Sequence, residues 1–371
     1  MATAIVLCSG GQDSLLVIKL LQKAGIKIIA INFISYFFGG PSKKLDLLAK
    51  ELDIPVVFVP FQQAQLQITI DPKFGRGKNF NACIDCHALM IKYAGSLLKQ
   101  YNADFIATGE VLNQRPMSQN MASLKKVANE SGFGNLLVRP LSGQLLEITE
   151  AETLGFIKRE DMRSIQGRSQ TGQTTLAAEL GMSYMMSGHG GGCLLTDQNF
   201  GRKMKTVETD GFLKATSFLP YILQHSRFLR IDKGKYAFVG RNHEENQLFT
   251  PLHKFGTIFI ADAITPGPRI LLVEMNETEL IYTPVQQDIE DVELESGKCQ
   301  SCNSQQDFNI EWLSGSYEAS QQLQIIGKEI YSIFSKHKGT KGGQVLINGI
   351  LSDFESVTIE RKAELTNLMI Q

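Results

Sequence analysis

The chain has 371 residues, 43% of them hydrophobic and 20% charged, with a formal net charge of −1. That length suits two or three domains, each able to bury a core, and the composition is that of an ordinary soluble globular protein. The charge excludes a chain that is basic throughout, and the longest apolar stretch, "IIAINFISYFF", is too short to span a bilayer and carries Asn32 and Ser35.

The first element is a continuous apolar run, "TAIVLCS", of strand length. "DSLLVIKLLQKAG" follows with helical spacing at Leu15, Leu16, Ile18, Leu20 and Leu21, and Gly25 ends it. "IKIIAINF" reads as a second strand, "SKKLDLLAKELD" as an amphipathic helix and "IPVVFVP" as a third strand. "HALMIKYAGSLLKQYN" is a further helix, "DFIATG" a further strand, and "LLVRPLS" and "TEAETLGFIKRED" continue the domain. "QTTLAAELGM" is a short helix, and residues 184–205 are rich in glycine and polar groups. Alternating strands and helices, with strands apolar throughout, predict an α/β, doubly wound parallel sheet with its ligand site at the carboxyl ends of the strands. From about 218 to 290 the texture changes to short β-like runs, "RFLRI", "KYAFVG", "TIFIAD", "RILLVEM" and "ELIYTPV", followed by a polar linker and one helix, "SYEASQQLQIIGKEIYSIFSKH". Three domains are expected, 1–205, 206–290 and 291–371, the later ones smaller and α+β. A strand beginning at Thr3 leaves no room for a basic leader, so the expected location is the cytoplasm, with no membrane partner.

"CSGGQDS" sits between the first strand and the first helix. Gly10 and Gly11 allow a ligand to approach the backbone, the helix start offers free N–H groups, and Ser9 and Ser14 add hydroxyls. Together they make a phosphate cradle, and Asp13 can hold a magnesium ion. A plain turn with Ser and Asp as helix caps is the competing reading. The spacing matches neither G-x-x-x-x-G-K-[ST] nor G-x-G-x-x-G. The S-G-G-x-D-S pattern after an N-terminal strand resembles the PP-loop of the ATP pyrophosphatase (N-type) superfamily. The resemblance implies a Rossmann-like, HUP-type domain that cleaves ATP between the α- and β-phosphates and transfers AMP to a substrate oxygen. Ser9, Gly10, Gly11, Asp13 and Ser14 would then hold the pyrophosphate.

There are six cysteines, Cys8, Cys83, Cys86, Cys193, Cys299 and Cys302. In a cytoplasmic chain their paired spacing suggests metal or redox chemistry more than structural disulfides. Cys83 and Cys86 form a C-x-x-C just before a predicted helix, and Cys193 lies in the glycine-rich "SGHGGGCLLTDQNFGRK". Three cysteines could hold a cluster with one iron open to an outside ligand. "NACIDCHALMIKYA", "ATGEVLNQRPMSQ", "LLVRPLS" and "GHGGGCLLTDQNFGRKM" resemble segments of the tRNA thiolation enzymes of the ThiI/MnmA-like group, with Ala82 where proline is expected. The resemblance covers residues 1 to 205. It implies a tRNA uridine sulfurtransferase making 4-thiouridine or 2-thiouridine, with ATP and Mg2+ as cofactors, tRNA as partner, and sulfide or a persulfide carrier as sulfur donor. It places a [4Fe–4S] cluster on Cys83, Cys86 and Cys193, and makes Cys86, Cys193 and Asp13 the catalytic candidates. Two alternatives use the same residues: a persulfide on Cys193 or Cys86 resolved by the other, and an amide- or nitrile-forming ligase acting on a small metabolite.

Lesser candidates complete the set. His87 and His189 flank the cysteines, and Thr108, Gly109 and Glu110 follow a predicted strand, with Gly109 at the nucleotide edge. Arg115, Arg139 and Arg168 are candidates for phosphate or RNA contact, with structural salt bridging as the alternative. Three basic clusters, "KFGRGK", "KREDMR" and "GRKMK", could serve RNA or be plain solvated surface. "VGRNHEEN" resembles the NFACT-R type of RNA-binding domain over residues 206–290, with Arg241 and Asn242 as contact candidates. Cys299 and Cys302 form a second C-x-x-C without a matching pair.

Overall fold

Successive residues of the first strands bury on opposite sides, and that alternation sets the architecture of the N-terminal unit. Ala4 and Val6 pack with Leu15, Leu16, Leu45 and Leu176 on one face, while Ile5 packs with Ile84, Ile91 and Val127 on the other. The computed structural model describes residues 1–182, 192–213, 218–249, 251–252, 256–261, 267–275, 319–335 and 342–370. The described residues up to Thr196 form one unit, and those from Asp197 onward form another.

The first unit runs β1 (Thr3–Leu7), α1 (Gln12–Lys23), β2 (Lys27–Ile34), α2 (Lys43–Leu52), β3 (Val56–Pro60), α3 (Gln62–Ile70), α4 (Cys83–Ser96), β4 (Phe105–Ala107), α5 (Met121–Ser131), β5 (Leu137–Val138), α6 (Glu150–Thr153) and α7 (Thr171–Glu179). Its five-stranded sheet has the order β3-β2-β1-β4-β5 and every pair is parallel. The expected doubly wound sheet is therefore present. Its order reverses between β1 and β4, the place at which open α/β sheets bind ligands beyond the carboxyl ends of their strands.

Local sequence explains most element ends. Ser42 caps α2 by accepting the Leu45 N–H, and Asp53 stops it in a left-handed conformation. Helix α4 departs from expectation, beginning at Cys83 rather than His87. The Cys86 N–H bonds the Ala82 carbonyl at 3.0 Å, and the Asp85 carboxylate collects the N–H groups of Lys73 at 2.9 Å and Phe74 at 3.2 Å. Both cysteines thus lie inside the first helical turn. Helices α3 and α5 escaped the sequence reading because their buried faces include Gln65 and Thr69, and Ser123 and Ser131. Their apolar stripes are broken by polar residues.

The second unit contains α8 (Gln198–Thr209), α9 (Phe218–Gln224), β6 (Arg227–Asp232), β7 (Lys235–Val239), α10 (His243–Leu248), β8 (Thr257–Ala261), β9 (Ile270–Glu274), α11 (Gln321–Phe334), β10 (Gly342–Ile347), β11 (Ile350–Glu355), α12 (Ile359–Asn367) and β12 (Met369–Ile370). Its strands make one antiparallel sheet in the order β11-β10-β8-β9-β7-β6-β12. Strands from 227–274 and from 342–370 therefore share a sheet, where separate domains over 206–290 and 291–371 were expected. The cause is a shared core: Leu229, Val239, Phe259 and Leu272 pack with Leu323, Ile330 and Tyr331 of α11. Helix α8, capped by Asp197, runs through the expected boundary at 205. Among the described residues no helix is long and apolar enough to cross a membrane. The run "ELIYTPV" and the linker after it lie outside the described residues.

Candidate active site

The nucleotide candidates stand where the chain leaves β1. Gly10 adopts φ +73°, a conformation that costs glycine little. Gly11 caps α1 without any side-chain hydrogen bond, so the helix start remains open to a ligand. Ser9 is exposed and its hydroxyl takes the Gly11 N–H at 3.4 Å. Ser14 turns inward, donating to the Gly11 carbonyl at 2.8 Å, with its oxygen 3.7 Å from the buried Cys8 sulfur. Asn32, at the end of β2, ties this loop to the next one: its amide donates to the Cys8 carbonyl at 2.8 Å and accepts the Gly40 N–H at 2.9 Å.

Asp13 is held on one oxygen only. Gln114 donates to Oδ2 at 3.2 Å, while Oδ1 is buried without a partner among the described residues. Burial raises the pKa of this carboxyl, against the opposing pull of Gln114, Gln173 and the Arg115 charge. A buried, orphaned carboxylate oxygen beside an open helix start fits a magnesium ion, a hard cation that prefers oxygen ligands.

The exit of β4 joins this loop to the cysteines. A side chain at Gly109 would place its Cβ 2.9 Å from the Asp13 carbonyl carbon and the Ser14 nitrogen, so glycine there lets α1 seat against the strand. Next in sequence, Glu110 is a buried hub. It accepts from Arg139 Nε at 2.8 Å and Thr108 Oγ1 at 3.1 Å, and pairs with His87 Nδ1 at 2.8 Å. Burial alone would raise the Glu110 carboxyl, but the Arg139 guanidinium and His87 overcome it and hold the group well below the usual range. Of the two readings of Arg139, the structure supports salt bridging.

His87 follows Cys86 on α4, so the hub borders the thiols. The Asn81 amide donates to Cys83 Sγ at 3.0 Å, and the Gln65 amide to Cys86 Sγ at 3.5 Å. The segments around Cys83 and Cys193 meet through the backbone, where the Phe80 N–H bonds the Leu195 carbonyl at 3.1 Å. The Leu194 N–H also reaches the Phe37 carbonyl at 3.0 Å. Burial first, then the neighbouring Cys193 and Cys83, raise the Cys86 thiol well above its ordinary value. Burial likewise pushes Cys193 up to about 12, with Cys83 adding to it. Cys83 and Cys193 thus both act electrostatically on Cys86. Buried thiols with raised pKa values are poor free nucleophiles, whereas metal binding deprotonates them. Cysteine thiolates are the ligand type that iron–sulfur clusters take. Among the described residues, however, no three His, Cys, Asp or Glu side chains already converge on a common point.

Other candidates are engaged elsewhere or stand apart. Arg115 and Arg168 are exposed. Arg76 lies 3.9 Å over the Phe80 ring and donates to the Thr69 and Ile70 carbonyls at 2.7 and 2.9 Å, closing the end of α3. Lys73 pairs with Glu130 at 2.7 Å, and Lys203 donates to the Leu223 and Ser226 carbonyls. In the second unit Arg241 pairs with Glu245, and Asn242 caps α10. His189, Cys299 and Cys302 lie outside the described residues. Sequence reasoning did not single out Gln65, Asn32, Gln114 or Gln173, because a lone amide carries no spacing signal.

Residues 1–151 match the family model described as Thiamine biosynthesis protein (ThiI). That similarity covers the N-terminal part of the chain alone. The match takes in the loop at residues 9–14, the Cys83–Cys86 pair and Glu110, and stops before Cys193. A probable tRNA sulfurtransferase of Lysinibacillus sphaericus (strain C3-41) is 30% identical over 161 residues, 41% of this chain and 38% of the relative. A tRNA-specific 2-thiouridylase MnmA of Trichlorobacter lovleyi is 27% identical over 176 residues, 44% of this chain and 49% of the relative. The chain thus spans less than half the length of these curated relatives. A crystal structure of a 4-thiouridine synthetase–RNA complex with bound ATP aligns at a TM-score of 0.36 and 18% identity, over 53% of this chain and 45% of that one.

Proposed function

We propose that the chain is an ATP-dependent tRNA uridine sulfurtransferase. The observation that carries this reading is the continuity of one short segment, in which Gly109 seats the nucleotide loop and Glu110 holds the histidine beside Cys86. A phosphate cradle and a thiol-bearing helix turn linked through one strand exit suit a reaction that activates with ATP and then delivers sulfur. The names of the sulfurtransferase and thiouridylase relatives support the same substrate.

In the first step a uridine carbonyl oxygen bonds to the α-phosphorus of ATP and the bond to the bridging β-phosphate oxygen breaks. Pyrophosphate leaves against Ser9, Gly10, Gly11 and the open start of α1, whose N–H groups and dipole favour the negative charge. Asp13 would hold magnesium, which supplies positive charge against the phosphates. In the second step sulfur bonds to the same carbon and AMP departs with the former carbonyl oxygen. Cys83, Cys86 and Cys193 would hold an iron–sulfur cluster, which when bound supplies an activated sulfide. His87, Glu110 and Arg139 fix the helix turn that carries Cys86. The second reading, favoured by the lack of a closed three-donor set among the described residues, is a persulfide received from a persulfide carrier on Cys193 or Cys86: its outer sulfur bonds to the activated carbon, the other cysteine attacks the inner sulfur, and a disulfide between the two is left. tRNA is the partner, and sulfide or a persulfide carrier is the donor.

The test is anaerobic incubation of the protein with unmodified tRNA, ATP and sulfide, followed by mass spectrometry of the nucleosides. Thiouridine from wild type and none from Asp13→Ala is the expected result. ATP cleaved to AMP with tRNA unchanged would instead support a ligase acting on a small metabolite.

A further inference from the structure

Gln173 on α7 is fully buried, and neither its amide nitrogen nor its amide oxygen has a hydrogen-bond partner among the described residues. Leaving both ends of a buried amide unsatisfied is unfavourable and uncommon. Helix α7 packs on α1 through Leu176 and Ala177 against Leu15 and Leu16, and a second orphan stands on α1, the Oδ1 atom of Asp13. The Gln173 amide favours the charged Asp13 carboxylate, while neither its atoms nor Asp13 Oδ1 reach hydrogen-bond geometry. The other carboxylate oxygen is already occupied by Gln114. Remaining orphans, Gln67 Nε2 and Gln119 Oε1, are single atoms on side chains that the nucleotide loop does not involve.

We infer that Gln173 is a second protein oxygen ligand, beside Asp13, of a divalent-cation site at the start of α1, an assignment that rests on the nucleotide-binding reading above. The amide presents its oxygen by a half-turn about its last side-chain torsion. Carboxylate and amide oxygens together suit a hard cation. The positive end of α1 repels a lone cation, so the site fills only when nucleotide phosphates complete it. Coupled binding of metal and nucleotide follows. It also follows that replacing the amide with an apolar side chain of similar length stabilises the metal-free protein, because two unsatisfied polar atoms disappear from the core.

The experiment titrates Mn2+ into the full-length protein by electron paramagnetic resonance, with and without ATP, for wild type, Gln173→Met and Gln173→Glu. ATP binding is measured separately by calorimetry. Wild type should take up Mn2+ with ATP and little without it. Gln173→Met should weaken that uptake about tenfold or more, while its metal-free melting temperature holds or rises. Gln173→Glu should restore the uptake. Unchanged Mn2+ affinity in Gln173→Met would overturn the inference, as would a lowered metal-free melting temperature with no restoration by glutamate. Failure of wild type to bind ATP at all would instead overturn the nucleotide-binding reading itself.

Discussion

Replacing Glu110 with glutamine keeps the shape of the hub and removes its charge. Side chains of Glu110 and Arg139 are 6% and 8% exposed, so little water screens the pair. The substitution leaves the Arg139 guanidinium buried opposite an amide, and breaking a buried pair in this way costs about 3–5 kcal/mol. For a unit of this size each kcal/mol moves the melting temperature by about 2–4 °C, so Glu110→Gln should melt roughly 6–20 °C below wild type at pH 7. Glu110→Leu combined with Arg139→Met should recover most of the loss, since no charge is then stranded. The sign of the pH dependence follows from the lowered Glu110 carboxyl. A carboxyl depressed in the folded state stabilises fully above its unfolded value, near the ordinary 4.5, and loses that contribution as pH falls below it. The gap between wild type and Glu110→Gln should therefore be constant from neutrality to about pH 5 and narrow below. Scanning fluorimetry across that range measures it. A variant that melts with wild type at pH 7, or a gap that widens in acid, would refute the reasoning.

Gly109→Ala drives a Cβ into the backbone of Asp13 and Ser14. It should abolish ATP binding by calorimetry even where circular dichroism reports a folded chain. Alkylation with iodoacetamide, mapped by mass spectrometry, should label Cys86 and Cys193 slowly at pH 8 and faster as pH rises towards 10, because both thiols are raised and must lose a proton to react. Arg76→Met should lower the melting temperature, at a cost of about 1.5–3 kcal/mol for lost charge-assisted hydrogen bonds. It should leave the salt dependence of tRNA binding unchanged, whereas loss of a phosphate contact would reduce the slope by about one.

The parallel sheet was legible because its strands are buried on both faces and read as unbroken apolar runs. The loop at residues 9–14 was legible because small residues between a strand and a helix have few other uses. The thiol trio was readable as composition, but the Asn81 and Gln65 amides on the sulfurs depend on loops whose partners are distant in sequence. Arg139 shows a further limit: a lone arginine in "LLVRPLS" looks the same whether it meets RNA or Glu110. The single seven-stranded sheet was hidden because β12 and β6, which pair as Met369 with Leu229, lie far apart in the chain. The helix start at Cys83 was missed because Ala82 is no capping residue, and the turn is fixed instead by Asp85 reaching back to Lys73 and Phe74.

The central claim is that ATP cleavage and sulfur delivery are one reaction on tRNA. The most direct test counts pyrophosphate released against thiouridine formed in a single turnover with tRNA and sulfide. Equal amounts of the two, both lost in Asp13→Ala, are predicted. Pyrophosphate without thiouridine, or thiouridine formed without ATP, would contradict the account.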